Sequence, residues 1–309
     1  MQNPVVAGIR ITRNCNMMCP YCNIPNQPKK DLTLQEWKQA LEIINKLNIK
    51  DLVILGGEPT MFSELPELIK YGKYSLGMNI SMTTNARNNQ EIIGKCIESG
   101  LNKLGVSVDT LNFKKSVSPM KCKCGLEMID FVKQNYPDMN VVDYIVLNKQ
   151  NIDDVISLVK YLSAKKVSSY FLPFHWGNEG SFEHRKNKDT FAFTSKEDIE
   201  KYENVIRKLI ELKQAGYLID NSIEFLLSSA KHIKKLDWKC TGLYELRVDS
   251  DGQMVCCCDK FGSVNKQFSI FNLEENFDEF RKQQLEDIKE CSGCLWPSAF
   301  EAELKAERR

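Results

Sequence analysis

Cys15, Cys19 and Cys22 stand in the run Asn14-Cys15-Asn16-Met17-Met18-Cys19-Pro20-Tyr21-Cys22, spaced C-x3-C-x2-C. Thiolates are the natural ligands of iron–sulfur clusters, and a cubane cluster has four irons. Three protein ligands leave one iron open to a non-protein group. The spacing therefore suits a cluster that does chemistry as well as carrying electrons. A zinc knuckle or three scattered buried thiols are the plainer alternatives. Structural zinc takes four closed ligands, and after Cys22 no His or Cys follows before Cys96.

A second segment adds to the first. Asp51-Leu52-Val53-Ile54-Leu55 is an apolar run of strand length that ends in Gly56-Gly57, followed by Glu58 and Pro59. Two glycines let a ligand's polar head approach the backbone where a side chain would block it. Glu58 offers an acceptor for an ammonium group. Alone, this segment reads equally well as an ordinary strand-to-helix turn.

Taken together, the cysteine run, with Tyr21 before its last cysteine, and the Gly-Gly-Glu-Pro segment resemble the motifs of the radical S-adenosylmethionine (SAM) superfamily. The resemblance implies a [4Fe–4S] cluster on Cys15, Cys19 and Cys22 whose open iron chelates the amino and carboxylate groups of SAM. It implies that Gly56, Gly57, Glu58 and Pro59 bind the SAM amino group. An electron from the cluster would then break the sulfonium C–S bond and release a 5′-deoxyadenosyl radical that abstracts hydrogen from substrate.

The elements that must position these groups alternate. Val5–Ile11 reads as a first strand, with the cysteine loop directly after it. Thr33 and Glu36 form a capping box that opens a helix with Trp37, Leu41, Ile44 and Leu47 on one face. A helix through Leu65–Tyr71 follows the Gly-Gly segment. The remaining strands are Asn79–Thr84, Leu104–Val108, Val141–Leu147 and Ser169–Phe174; helices are expected at Gln90–Glu98, Leu126–Gln134 and Asp153–Ala164. Six strand–helix units argue for an α/β fold with a parallel sheet. They fit a partial (β/α)6 barrel, which is also the fold the resemblance implies. Ligands gather at the carboxyl ends of such strands, so both motifs should face one cavity. Thr83, Thr84 and Asn85 after the third strand, and Ser107 and Asp109 after the fourth, should line it too. Tyr21, Thr83, Asn85, Ser107 and Asp109 resemble family positions near SAM, although Thr-Thr-Asn also fits plain turn chemistry.

Beyond the sixth strand, Gly177–Asp189 reads as a polar loop over the barrel mouth, Ser195–Gly216 as one long amphipathic helix and Ile223–Lys235 as another. From about Trp238 a cysteine-rich module begins. Asp251-Gly252 is a hairpin signal between Tyr244–Asp249 and Gln253–Cys258, which would bring Cys240 and Cys257 together. A helix at Glu275–Ile288 returns the chain to Cys291-Ser292-Gly293-Cys294. Cys240, Cys257, Cys291 and Cys294 resemble the twitch-type relative of the SPASM module in radical SAM enzymes, which implies one auxiliary [4Fe–4S] cluster. A four-cysteine zinc ribbon has compatible spacing. The expected division is 1–236 for the core and 237–309 for the auxiliary module.

Other groups are candidates for chemistry. His175, beside Trp176 at the end of the sixth strand, suits a general base or a substrate hydrogen bond, or a satisfied structural role. Glu179, Glu183 and His184 follow it at lower rank. In Cys256-Cys257-Cys258 the neighbours of Cys257 point away from it in a strand, so Cys258 or Cys256 could serve as a hydrogen donor, or as a small buried hydrophobe. Cys122 and Cys124 lie between the fourth strand and its helix, on the ligand side, where either could approach substrate. Cys96 reads as packing.

Composition narrows the class. The 309 residues carry 42 basic and 41 acidic side chains, a net charge of +1, which marks neither a nucleic-acid nor a membrane-surface binder. No apolar stretch approaches transmembrane length and no signal peptide is read at Met1. Twelve cysteines without such a signal read as metal ligands in a reducing cytoplasm. The expected function is oxidation, a dehydrogenation, of a small molecule, with SAM and two [4Fe–4S] clusters as cofactors. The auxiliary cluster would be the electron acceptor, and an external one-electron reductant such as flavodoxin or ferredoxin would serve the first. Since the first strand opens at Val5, no N-terminal peptide-binding domain is expected. The alternatives are a peptide-modifying enzyme, an epimerase or crosslink former with a free cysteine as hydrogen donor, and a non-enzymatic zinc-binding protein.

Overall fold

The architecture follows from strands too apolar to leave either face in water. In the computed structural model, which describes residues 4–26, 29–116, 118–174, 188–242, 244–257 and 268–308, six parallel strands run in chain order. They are β1 (Val6–Arg10), β2 (Asp51–Leu55), β3 (Asn79–Thr84), β4 (Lys103–Val106), β5 (Asn140–Leu147) and β6 (Ser168–Pro173). Neighbouring strands pair in order, with Ala7 opposite Leu52, Leu52 opposite Ile80, Met82 opposite Leu104 and Leu104 opposite Val141. Helices α1 (Leu34–Lys46), α2 (Leu65–Lys70), α3 (Gln90–Glu98), α4 (Pro119–Asn135) and α5 (Val155–Ala164) return the chain between them. This is the mixed α/β arrangement expected of the alternating pattern, and parallel strands covered by helices are buried on both faces. Ile9, Ile54, Ile80, Leu104 and Ile145 are fully buried within one continuous core.

The local signals hold where they are strongest. Thr33 and Glu36 make both bonds of the capping box on α1, and Ser195 with Asp198 does the same for α7 (Lys196–Gln214). A short α6 (Lys188–Phe191) precedes α7, and α8 (Ile223–His232) packs against it. The exposed edge of β6 is closed by a side chain: Asn221 accepts from Phe171 N at 2.6 Å and donates to Phe171 O at 3.1 Å, as a neighbouring strand would.

Three departures bear on the site. β4 ends at Val106, two residues before the expected Val108, because Val108 N turns to donate to the Asp143 carboxylate at 2.7 Å. α4 begins at Pro119 and not near Leu126, since proline suits a first helical turn; Cys122 and Cys124 are therefore helical residues. The last helix, α10 (Pro297–Glu307), was not expected from the sequence.

The C-terminal segment does not stand apart. Its hairpin, β7 (Glu245–Val248) and β8 (Met254–Val255), turns at Gly252, whose φ of +81° is one that glycine adopts without a Cβ clash. β7 pairs in parallel with β1, Ala7 opposite Leu246, so one eight-stranded sheet runs across the expected boundary at 236/237. α9 (Leu273–Glu290) and α10 pack beyond the hairpin. Among the described residues no helix is long and apolar enough to cross a membrane.

Candidate active site and auxiliary metal centre

The cysteine loop leaves the carboxyl end of β1 and is clasped by the segment after β2. Gly57 N donates to Thr12 O at 2.7 Å and Glu58 N to Asn14 O at 2.8 Å. This approach explains the second glycine: a Cβ at Gly57 would lie 2.6 Å from Arg13 O and against Asn14 O as well. Cys15, Cys19 and Cys22 are all half-buried and free, and close enough for each charge to be felt by the next. Burial pushes the Cys15 thiol up and the Cys22 thiol up to about 11. Deprotonating them is costly without a positive partner, and a bound metal supplies one. Three half-buried thiols on one loop, held by the Gly-Gly segment packed against it, fit an iron–sulfur cluster.

Glu58 closes the turn after β2. It is fully buried and its carboxylate is occupied by protein donors: Thr60 Oγ1 at 2.7 Å, Thr84 Oγ1 at 2.8 Å, Asn85 N at 2.7 Å and Thr60 N at 3.2 Å. Burial raises its pKa while these bonds oppose the rise. The carboxylate joins the turn after β2 to the end of β3, with Oε1 taking the Thr60 and Thr84 bonds and Oε2 the Asn85 bond. Asn85 then carries the connection onward, its Nδ2 lying 2.8 Å from Asn16 Oδ1 and 3.6 Å from Cys15 Sγ. Arg87 Nη1 donates to Asn16 O at 2.5 Å. Of the other expected positions, Pro59 is buried as the first residue of a short helical turn, and Thr83 is half-buried beside Gly105 of β4. Ser107 is half-buried at the end of β4, its backbone oxygen against Gly125 of α4.

Asp109 and Tyr21 meet, joined by a residue the motifs do not contain. Lys121, in the first turn of α4, places Nζ 2.7 Å from Asp109 Oδ2 and donates to Tyr21 OH. Its ammonium lies 5.2 Å from the Tyr21 ring centroid. Asp109 is 1% exposed and Lys121 4% exposed. Asp109 Oδ1 also accepts from Val146 N at 3.1 Å.

A third buried charge ties the C-terminal hairpin to the cysteine loop. Asp249, at the end of β7, accepts from Arg13 Nε at 3.1 Å and Arg10 Nη1 at 3.2 Å, with a second bond from Arg13 Nη2. Lys29 Nζ is 3.1 Å away on the same carboxylate. The sequence gives no sign of this pairing across more than two hundred residues.

In the C-terminal set, Cys240, Cys257 and Cys291 line one cavity, together with Cys256, Asp287 and Glu303. The hairpin and α9 bring them there, and Cys294 follows, its N donating to Trp238 O at 2.9 Å. Burial first, then Cys257, Glu303 and Cys291, push the Cys240 thiol up to about 12. Among the described residues no three His, Cys, Asp or Glu side chains are gathered as closely as one metal ion requires. The thiolates of a cluster bind separate irons and stand further apart than those of a single ion. Three thiols around a cavity, with Cys294 in the same C-x2-C pair as Cys291, fit such a cluster.

The proposed hydrogen donors fare differently. Cys122 is buried, accepting from Asp109 N at 3.3 Å and lying 3.1 Å from Ser116 Oγ. Cys124 and Cys256 are also buried, Cys256 against Asp287. The expectation that Cys122 and Cys124 lie between the fourth strand and its helix is corrected: α4 starts at Pro119 and includes both. Cys96 is buried packing, as expected. His175, Cys258 and the loop residues Glu179, Glu183 and His184 lie outside the described residues.

Comparisons with known proteins agree with this geometry. A family model described as the radical SAM superfamily matches residues 9–162. The chain is 24% identical to a probable GTP 3′,8-cyclase of Pyrococcus horikoshii, over 81% of this chain and 82% of that protein. It is 23% identical to the GTP 3′,8-cyclase of Aquifex aeolicus, over 92% and 94%. Among solved structures, Streptococcus suis SuiB bound to S-adenosylmethionine superposes with a TM-score of 0.68 at 16% identity, covering 89% of this chain and 65% of that one. That likeness is one of fold.

Proposed function

The chain belongs to the radical SAM superfamily through residues 9–162, and we propose that it oxidises a small-molecule substrate, the C-terminal site serving as electron acceptor. Its cofactors are S-adenosylmethionine and two [4Fe–4S] clusters. In this reading Cys15, Cys19 and Cys22 hold the first cluster, and Cys240, Cys257, Cys291 and Cys294 hold the second. Bound together, the first cluster and SAM supply a 5′-deoxyadenosyl radical able to take hydrogen from an unactivated C–H bond.

The protein's own part is positional. Gly56 and Gly57 let the segment after β2 pack directly on the cysteine loop, which in this reading sets where the amino group of SAM would lie. Glu58 fixes that backbone and, through Asn85, the Cys15 side of the loop. The observation that carries the oxidative reading is the gathering of Cys240, Cys257 and Cys291 at one cavity, with Cys294 in the same C-x2-C pair. Four protein thiolates leave no iron open to substrate, and a closed site suits electron transfer. A one-electron reductant such as flavodoxin or ferredoxin would serve the N-terminal site, in a reducing compartment.

A second reading is favoured by the relatives. Proteins named GTP 3′,8-cyclase align over most of the chain, which supports a rearrangement of a nucleotide without net oxidation. One experiment separates the readings. The protein is reconstituted anaerobically, and iron, sulfide and zinc are measured in the native chain and in a Cys15/Cys19/Cys22→Ala variant, with SAM cleavage assayed alongside. About eight irons falling to about four, with cleavage lost, is expected. Native enzyme is then incubated with SAM and GTP, and with a panel of polyols and aminocyclitols. Product two electrons more oxidised than substrate supports the first reading. Consumption of GTP without net oxidation overturns it in favour of the second. Zinc in the C-terminal site would sink the electron-acceptor role.

A further inference from the structure

Lys121 is in the wrong place for an ordinary lysine. It is 4% exposed, where lysines are rarely found. It sits in the first turn of α4, where the helix dipole disfavours a positive charge. A residue serving only to cap α4 would be acidic or a small polar group. Its partners explain the position: Asp109 Oδ2 at 2.7 Å on one side, the hydroxyl and ring of Tyr21 on the other. Tyr21 lies between Cys19 and Cys22, within the cluster-binding loop.

We propose that Lys121 is a positioning residue for the N-terminal cluster, fixing through Tyr21 the segment between Cys19 and Cys22 and holding a permanent positive charge against it that raises the cluster's reduction potential. The physical reason is elementary. Reduction adds negative charge to the cluster, and a nearby cation in a low-dielectric interior favours the more negative state. Burial works against the charged ammonium, but Asp109 and Tyr21 outweigh it and hold its pKa well above the ordinary value. The cation is therefore permanent at neutral pH. Asp143, the next carboxyl in the barrel, is pushed well above the usual carboxylate range by burial. The charges that meet Tyr21 are Lys121 and Asp109, of opposite sign; Arg10 acts on Cys22, Glu58 on Cys15 and Arg87 on Asn16 from other elements, and none of them is changed in the variants below. This inference rests on the assignment of the cluster to Cys15, Cys19 and Cys22.

The test uses the full chain, reconstituted anaerobically and without SAM, with each cluster's midpoint potential followed by electron paramagnetic resonance. A Cys19→Ala variant identifies the N-terminal signal; its persistence there would overturn the cluster assignment itself. Lys121→Met is expected to shift that signal to a more negative potential. Lys121→Arg keeps the charge and is expected to stay near the native value. Asp109→Asn removes the counter-charge and is expected to shift it the other way, to a more positive potential. The auxiliary cluster should not move in any variant. Shifts of the same sign in Lys121→Met and Asp109→Asn, or no shift in either with iron retained, would overturn the inference. If Lys121→Met fails to assemble its cluster, Asp109→Asn and Lys121→Arg decide alone: a potential in Asp109→Asn that is unchanged or lower than native overturns it.

Discussion

Arg13 and Asp249, 236 residues apart, share two hydrogen bonds in the protein interior. Arg13 lies two residues before Cys15, in the stretch whose Thr12 and Asn14 carbonyls also receive Gly57 and Glu58. Asp249 ends the strand of the C-terminal hairpin that pairs with β1. One ion pair thus joins the cysteine loop, the Gly-Gly segment and the auxiliary module.

Asp249→Asn should be among the most destabilising polar substitutions in the chain. It leaves Arg13, with a side chain 5% exposed, and Arg10, at 11%, without their shared counter-charge. Breaking a buried pair in this way costs about 3–5 kcal/mol. Burial alone would raise the Asp249 carboxyl, but Arg13, Arg10 and Lys29 hold it well below the usual carboxylate range. A carboxyl lowered on folding stabilises the native state above its unfolded pKa of about 3.9, and this stabilisation fades as pH falls through the folded value. Urea unfolding should show a large loss in the variant at pH 7, and a smaller difference from native as pH drops below about 4. An equal difference at both pH values would contradict the assignment.

Glu58→Gln keeps the shape of the side chain but sets an amide NH2 among donors. Thr60, Thr84 and Asn85 cannot all be satisfied by the single remaining oxygen. A loss of about 1–3 kcal/mol is expected for the unpaired buried group. Because Asn85 reaches Cys15 and Asn16, SAM affinity measured by equilibrium dialysis should fall more than tenfold while the far-ultraviolet circular dichroism stays native. Undiminished affinity would mean that the Glu58 network does not position the ligand.

Glycine substitutions should separate close approach from mere flexibility. Ala at Gly57 would drive its Cβ into the Arg13 and Asn14 carbonyls, which are backbone and have nowhere to move. Ala at Gly8 meets only side-chain atoms, the nearest 3.7 Å away. Gly57→Ala should therefore lose about 1–3 kcal/mol and most of its capacity to bind SAM, whereas Gly8→Ala should melt close to native. Thermal melts and dialysis on both report directly.

The sequence makes the strands and most helices legible because each announces itself locally. Parallel strands read as continuous apolar runs such as Asp51–Leu55, and α1 and α7 carry complete capping boxes. α10 is the exception that had a signal, Pro297 at its first position. The cysteines were legible by spacing, and the hairpin that gathers Cys240 and Cys257 by Asp251-Gly252. The charges were not. Glu58 reads as a ligand acceptor, and nothing local shows that Thr84 and Asn85 also bond to it. Lys121 carries no local signal, because its partners Tyr21 and Asp109 lie in the segments after β1 and β4. Nothing local in a sequence reports which distant group a buried charge will meet.

The run Cys256-Cys257-Cys258 offers a last prediction, since adjacent residues here do different work. Cys257 is half-buried and electrostatically coupled to Cys240 across the cavity, which Cys291 also lines. Cys256 is buried, its thiol engaged with Asp287 of α9 and pushed far up by burial first and Asp287 second. Cys256 belongs to the hydrophobic core, whereas Cys257 is only half-buried beside the cavity. Cys257→Ala should lose about half the iron of the reconstituted protein, leaving the SAM-cleaving site intact. Cys256→Ala should keep all of it and lose about 1 kcal/mol of stability through the missing packing. Iron analysis with the Cys15/Cys19/Cys22→Ala background isolates the C-terminal site. There, retention of iron in Cys257→Ala and its loss in Cys256→Ala would exchange the roles of the two residues and move the auxiliary site one position along the chain.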